Sequence, residues 1–155
     1  SEGRTYIPAA FLDEDVIAGN KLIVFPGADN WLFGVLQSAM FMAWVFAMAG
    51  RMKNDISISP GLTYCTFPFP DRQKSRKAIE TAALRVLAAR DAQKDSSLAD
   101  LYDPISMPDE LVQAHRELDR SVDRAFGKKK FRGEGDRLAF LLDRYTELSG
   151  KADTE

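Results

Sequence analysis

Lys53 and Asp55 are two oppositely charged residues, separated by one position, in the stretch MKNDISIS at residues 52–59. The side chains at positions 52, 54, 56 and 58 would lie on one face and those at 53, 55, 57 and 59 on the other, and this alternation predicts a half-buried strand. Side chains two apart on a strand share a face and lie about 6.6 Å apart. In the DNA major groove, lysine donates to guanine O6 and N7, and aspartate accepts from cytosine N4. The pair therefore has the polarity to read one G·C pair, and Ser57 continues the same face.

The same spacing also fits a strand edge that faces only solvent. Opposite charges on an exposed edge are common, and they protect that edge from pairing with another chain. The spacing of Lys53 and Asp55 alone leaves both interpretations open.

Two basic clusters, RQKSRK at residues 72–77 and GKKKFR at residues 127–132, are candidates for contact with phosphate. Cations at a helix N-terminus oppose the helix dipole, which favours a partner for the first cluster. A solvated helix start and a solvated loop are the alternative. The candidate phosphate contacts are Arg51, Arg72, Lys74, Arg76, Lys128, Lys129 and Lys130.

His115 is the single histidine, and Asp119 follows it one helical turn later. The pair is compatible with a general base or a ligand, and equally with a structural histidine. The sequence has no glycine-rich phosphate loop, no nucleophile elbow and no cluster with metal-ligand spacing. We therefore predict no catalytic, cofactor-binding or metal-binding residue in this chain.

The elements that must position these residues change character near Pro70. Residues 31–49 carry no charge, follow the capping candidates Asp29 and Asn30, and precede Gly50, which predicts one long buried helix. A membrane span is the alternative. Short strands are predicted at TYIPAAF, KLIVFPG, residues 52–59 and LTYCTF.

Helices are predicted at residues 72–92, 108–127 and 134–148, with a short turn of helix before Pro104. The predicted fold is α+β, with short strands around one long buried helix, followed by a small all-helical C-terminal subdomain. The predicted division is at residues 1–70 and 71–155.

The charge balance limits what the chain can bind alone. Its 155 residues carry a net charge of −2, with seventeen basic and seventeen acidic residues after position 70. Self-sufficient nucleic-acid binders usually have a basic excess. If the chain contacts nucleic acid, it is therefore expected to do so as one wall of a larger clamp. Cys65 is the single cysteine, so the chain cannot form an internal disulfide, and this count fits a reducing compartment. No secretory signal is visible at the start of the sequence. The absence of an initiator methionine suggests a processed or excised piece.

The stretch FGVLQSAMFMAWVFAMAGRMKNDISISPGLTYCTFPFPD resembles the MmeI-like family of type II restriction–modification enzymes. A second stretch, SSLADLYDPISMPDELVQAHRELDRSVDRAFG, is similar to the C-terminal helical tail of that family. The similarity extends over roughly residues 6–148. Departures are Ile56 and Ser57, where the family commonly has an aromatic and then a basic residue, and the sequence YCTFPFP, which lacks the usual asparagine and tryptophan.

The resemblance implies a function in DNA recognition. Residues up to about Pro70 would close a target-recognition domain, with Lys53, Asp55 and Ser57 at the base-specifying positions. The implied partners are double-stranded DNA, through its major groove, and the methyltransferase domain of the same parent chain. The resemblance also implies a location in a bacterial or archaeal cytoplasm and no membrane partner.

The parent would be an N6-adenine DNA methyltransferase that uses S-adenosylmethionine, with Mg²⁺ if a nuclease is present. This chain lacks the Asn/Asp-Pro-Pro-Tyr/Phe signature and the cofactor loop, so it should neither methylate nor cut. The alternative is a protein-docking helical module with no DNA role.

Overall fold

The computed structural model describes residues 5–20, 22–52, 55–57, 59–93, 95–127 and 130–152. Over these residues the chain forms seven helices and two short strands. In chain order they are α1 (Asn30–Leu36), α2 (Ala39–Met48), β1 (Gly50–Met52), β2 (Asp55–Ser57), α3 (Pro60–Thr63), α4 (Arg72–Asp91), α5 (Leu98–Leu101), α6 (Asp109–Ala125) and α7 (Glu134–Ala152).

The prediction of an α+β fold with strands around a helix is wrong, because helices build the core. Within the described ranges, β structure is limited to one antiparallel hairpin of two three-residue strands. The segments at 7–13 and 22–25 are irregular, and Leu62 and Thr63 belong to α3 rather than to a strand. Pro60 occupies the first turn of α3, where its fixed φ favours a helix. An isolated strand leaves its backbone N–H and C=O groups unpaired, and among the described residues these segments have no neighbouring strand to pair with, so they form no sheet.

The prediction of one long helix over residues 31–49 is also wrong. The chain forms α1 and α2, which meet at a bend of 57°. Ser38 interrupts the helix because its side chain caps α2 by accepting the Phe41 N–H, at 3.3 Å. An N-cap serine has extended backbone angles, so it starts a new helix and cannot continue the old one.

The length and composition of α1 and α2 bear on the membrane alternative. No single helix in the described part of the chain is long and apolar enough to cross a membrane; α1 and α2 satisfy that test only when taken together across their bend. Most residues of the pair are buried inside the protein, including Trp31, Val35 and Trp44.

The helices predicted after Pro70 are confirmed. Asp71 caps α4 by accepting the Lys74 N–H. Pro108 immediately precedes α6, and Gly127, with φ of 84°, follows its end. A left-handed φ of that size is readily adopted by glycine, so Gly127 ends the helix without strain.

One hydrophobic core contains residues from both sides of Pro70. Helix α1 lies so close to α4 that a Cβ built on Gly34 would be 2.6 Å from Cγ2 of Ile79. The fully buried side chains at the centre come from α2, α4, α6 and α7: Trp44, Ile79, Leu111, Leu118 and Leu141. The two predicted segments therefore fold against each other and share their interior.

Candidate nucleic-acid interface

The hairpin β1–β2 follows α2 directly and contains three of the predicted DNA-contacting residues. Ala49 leaves the helix with extended backbone angles (φ −74°, ψ 140°). Gly50 then pairs with Ser57, Arg51 with Ile56, and Met52 with Asp55. Because Met52 and Asp55 face each other across two antiparallel strands, the prediction of one continuous strand at residues 52–59 is wrong. Lys53 lies outside the described residues, whereas Arg51, Asp55 and Ser57 lie within the paired strands.

An aromatic cluster holds the segments on both sides of the hairpin. The Trp44 indole of α2 is fully buried, and its Nε1 donates to Oγ1 of Thr66 at 3.3 Å. The Phe67 ring packs on Trp44 and edge-on to Phe41, and Tyr145 of α7 lies 5.7 Å from the Trp44 ring. Since the hairpin connects α2 to residues 60–67, both of its ends start from one rigid cluster.

The first turn of α2 is held by a carboxylate of α6. Asp119 Oδ1 accepts the Ala39 N–H at 2.7 Å, and Oδ2 accepts the Tyr6 hydroxyl at 2.7 Å. Burial raises the pKa of Asp119 to about 6, although the Ala39 and Tyr6 hydrogen bonds and the nearby Arg137 lower it. Burial and the Asp119 charge also raise the pKa of Tyr6, which therefore stays a hydrogen-bond donor.

A buried polar network occupies the other side of the α1–α2 bend. Arg90 donates from Nη2 to Oε1 of Gln37 at 2.6 Å, from Nη1 to the Ala9 carbonyl at 2.6 Å, and from Nε to the Tyr102 hydroxyl at 2.8 Å. Tyr102 Oη lies 2.7 Å from Nε2 of His115. Since the Tyr102 oxygen already accepts from Arg90, its hydrogen is available to donate to His115.

His115 is a structural residue in this arrangement. It is fully buried, and the Tyr6 ring stacks on it with centroids 4.0 Å apart. Burial, and secondarily the Arg90 charge, lower the pKa of His115 to about 3, so the ring is neutral at neutral pH. The Asp119 carboxylate accepts from Tyr6 and Ala39, so its two oxygens are engaged away from His115. Over the described residues, no group of histidine, cysteine or carboxylate side chains has the geometry of a metal site.

The basic residues at the start of α4 form surface ion pairs. Arg72 and Arg76 both contact the carboxylate of Asp29, which also caps α1. Arg76 pairs with Glu80 at 2.9 Å, and Lys74 lies 3.6 Å from Asp71. The side chain of Lys74 is 86% exposed, so its pair is weakly held.

These local pairs reduce the need for a phosphate partner at 72–77. They do not exclude one, because exposed ion pairs are worth little. Lys128 and Lys129 lie outside the described residues, and Lys130 is exposed in the loop before α7. Phosphate contact at all seven positions stays a prediction.

The network around Gln37 was missed by sequence reasoning, although one signal was present. Arg90 continues the apolar stripe of α4 one turn after Val86, and a charged residue at such a position must find partners in the core. Those partners could not be named from the sequence, since Gln37 and Ala9 are 53 and 81 residues away.

Two family models account for most of the chain. Residues 1–71 match the MmeI target recognition domain, and residues 71–152 match the MmeI C-terminal domain. The chain therefore belongs to the MmeI family, as the resemblance in its sequence indicated.

Two relatives are individually similar to it. "DNA methyltransferase A" of Bacillus subtilis (strain 168) is 44% identical over 150 residues, which is 96% of this chain and 17% of that protein. The solved structure of the type IIL restriction-modification enzyme MmeI in complex with DNA superposes with a TM-score of 0.92 at 41% identity. That match covers 97% of this chain and 20% of the MmeI chain, so this chain spans about a fifth of either relative or less.

Proposed function

We propose that this chain reads part of an asymmetric DNA site on behalf of an N6-adenine DNA methyltransferase of the restriction–modification type. The observation that carries the proposal is the match of residues 1–71 to the MmeI target recognition domain. The 41% identical structural relative was solved in complex with DNA, which supports the same function here. The protein-docking alternative has no comparable support.

The hairpin is the element that we assign to base reading. The major groove is wide enough to admit a two-stranded β-ribbon, and β1–β2 is a ribbon of that kind. Lys53 would donate to guanine and Asp55 would accept from cytosine, with Ser57 contacting a neighbouring base or phosphate. Arg51, Arg72, Lys74, Arg76, Lys128, Lys129 and Lys130 are the proposed phosphate contacts.

The remaining parts of the reaction belong to the parent protein in this proposal. S-adenosylmethionine would be bound by its methyltransferase domain, and Mg²⁺ by a nuclease domain if one is present, because this chain lacks both motifs. Residues 1–70 would serve recognition, and residues 71–155 would support them through the shared core. The parent would work in the cytoplasm, where its DNA substrate is found.

The slightly negative net charge determines how strongly the chain alone is expected to bind DNA. Its 21 basic residues are outnumbered by 23 acidic ones, so the chain has no excess of cations to replace the counterions of DNA. We expect weak, salt-sensitive binding by the chain alone, and tight binding only when the methyltransferase domain closes on the other side of the duplex.

A charge swap in the full-length parent tests the proposal. The variant Lys53→Glu with Asp55→Arg reverses the donor and acceptor order, and methylation of a randomised site library should show a changed base preference at one position. The matched control is Arg85→Glu with Glu117→Arg, a swap in an exposed ion pair between α4 and α6. Unchanged specificity at every position after the hairpin swap would refute the proposal.

A further inference from the structure

We propose that Asp119, on helix α6 of the C-terminal region, is a positioning residue for base reading. It fixes the first turn of α2, and through α2 it sets where the hairpin β1–β2 lies against DNA. This inference rests on the proposed function of the hairpin and adds a role for a residue that lies outside the target-recognition segment.

The geometry gives Asp119 the function of a helix cap supplied from another helix. The first N–H groups of a helix have no partner within it. Ser38 covers the Phe41 N–H, and Asp119 Oδ1 covers the Ala39 N–H at 2.7 Å. A negative charge is also favoured by the positive end of the helix dipole. Asp119 therefore binds α2 both by a charged hydrogen bond and by its charge.

Helix α2 needs this external anchor because it does not continue α1. The 57° bend at Gln37 and Ser38 interrupts the regular hydrogen-bond ladder, and Ser38 contacts the end of α1 only through the Val35 carbonyl, to which its N–H and hydroxyl both donate. The Tyr6 hydroxyl donates to the other oxygen of Asp119 at 2.7 Å, so the carboxylate cannot rotate without losing one of its partners. Asp119 thus fixes a defined direction for the start of α2.

A shift at this anchor is transmitted to the hairpin by a tilt of α2. The ten residues of α2 span about 15 Å. The buried Trp44 and Val45 hold the middle of the helix, so a variant at Asp119 is expected to keep the helix and tilt it about that point. The far end lies about 7 Å from the pivot, and a tilt of about 4° moves it by about 0.5 Å, which is the tolerance of a preorganised site.

The experiment compares variants of the full-length parent by kcat/KM on the cognate site and on a site with the hairpin-read base pair changed. Asp119→Ala should lower this discrimination by roughly fivefold or more, since a base contact is worth about 1–3 kcal/mol when correctly placed. Asp119→Asn should restore it, because an amide can still accept from Ala39 and can donate to Tyr6. Ala39→Pro removes the same hydrogen bond from the other side and should reproduce the loss if Asp119→Ala does not fold.

Asp123→Ala is the matched control. Asp123 lies one turn later on α6 and pairs with Arg137, so its loss destabilises the protein without touching α2. Discrimination should stay unchanged in this variant. If the swap at Lys53 and Asp55 changes base preference while Asp119→Ala and Ala39→Pro do not alter discrimination, the positioning role is refuted and the proposed function survives. If the swap itself changes nothing, both are refuted.

Discussion

The guanidinium of Arg90 donates to the side-chain oxygen of Gln37 across 53 residues of sequence, at 2.6 Å. Gln37 lies in the bend between α1 and α2, where its backbone has left the first helix and the second has not begun. The same guanidinium binds Tyr102 and the Ala9 carbonyl. One buried cation of the C-terminal region therefore organises the turn that leads to the candidate reading hairpin.

Replacing Arg90 should destabilise the whole chain. In Arg90→Met, the buried oxygens of Gln37, Ala9 and Tyr102 lose a charged donor, and we expect the free energy of unfolding to fall by about 3–5 kcal/mol. Urea unfolding followed by circular dichroism measures it. Arg85→Met, which removes an exposed partner of Glu117, should cost less than about 1 kcal/mol. Equal losses in the two variants would contradict the role of the network.

His115 should make the protein sensitive to acid. Its pKa is lowered from 6.5 to about 3 in the folded protein, so between these values the unfolded chain binds the additional proton. Stability due to His115 is present above pH 6.5 and is lost as the pH falls towards 3. The difference in unfolding free energy between pH 7 and pH 4.5 should be smaller by about 2–3 kcal/mol in His115→Gln, because pH 4.5 lies two units below the unfolded pKa. An identical pH dependence in the variant would show that His115 is not buried as a neutral ring.

Asp119 should change the pH dependence of stability in the opposite direction to His115. Its pKa is raised from 3.8 to about 6, so between these values the folded protein binds the additional proton. Stability due to this carboxyl therefore increases as the pH falls through 6, and is fully gained below about 3.8. Asp119→Asn should remove this contribution, so the variant loses relatively more stability on acidification. A carboxyl carbon resonance of Asp119 that titrates near 4 would contradict the prediction.

Gly34 should tolerate no added methyl group. A Cβ at this position would be 2.6 Å from Ile79 Cγ2 and 3.2 Å from Leu118 Cδ1, so α1 would have to move away from α4 and α6. We expect Gly34→Ala to lower the free energy of unfolding by about 1–3 kcal/mol, despite the better helix propensity of alanine. Gly135→Ala in α7 has open space around the new Cβ and should be neutral or stabilising by up to about 1 kcal/mol. The measurement is the thermal unfolding of Gly34→Ala and Gly135→Ala, each compared with the wild type. A Gly34→Ala variant more stable than the wild type would show that α1 packs more loosely against α4 and α6.

The C-terminal helices could be predicted because their signals are local. The stripe from Ile79 to Val86 has helical period, and the caps at Asp71 and Gly127 lie directly at the helix ends. Each of these signals needs only neighbours within a few residues. The buried residues Leu111, Leu118 and Val122 of α6 also recur at helical spacing.

The first half could not be predicted in the same way, because distant residues shape it. Residues 31–49 are buried on nearly all sides, so they show no period that would reveal the break at Ser38. The partners that fix this break, Arg90 and Asp119, are 53 and 80 residues from the groups they bind. The alternation at 52–59 indicated one strand, whereas the pairing of Met52 with Asp55 puts an even and an odd position on the same face, so the alternation changes phase between the two strands. The family resemblance located the candidate reading residues that spacing alone left open.

The central claim, that Lys53 reads a guanine from the hairpin, has one direct test. The full-length parent is titrated against its recognition site with each guanine replaced in turn by 7-deazaguanine, which lacks the N7 acceptor. One replacement should weaken binding by roughly fivefold or more in the wild type, and the same replacement should have little effect in Lys53→Ala. Equal sensitivity of the wild type and Lys53→Ala at every guanine would contradict the account.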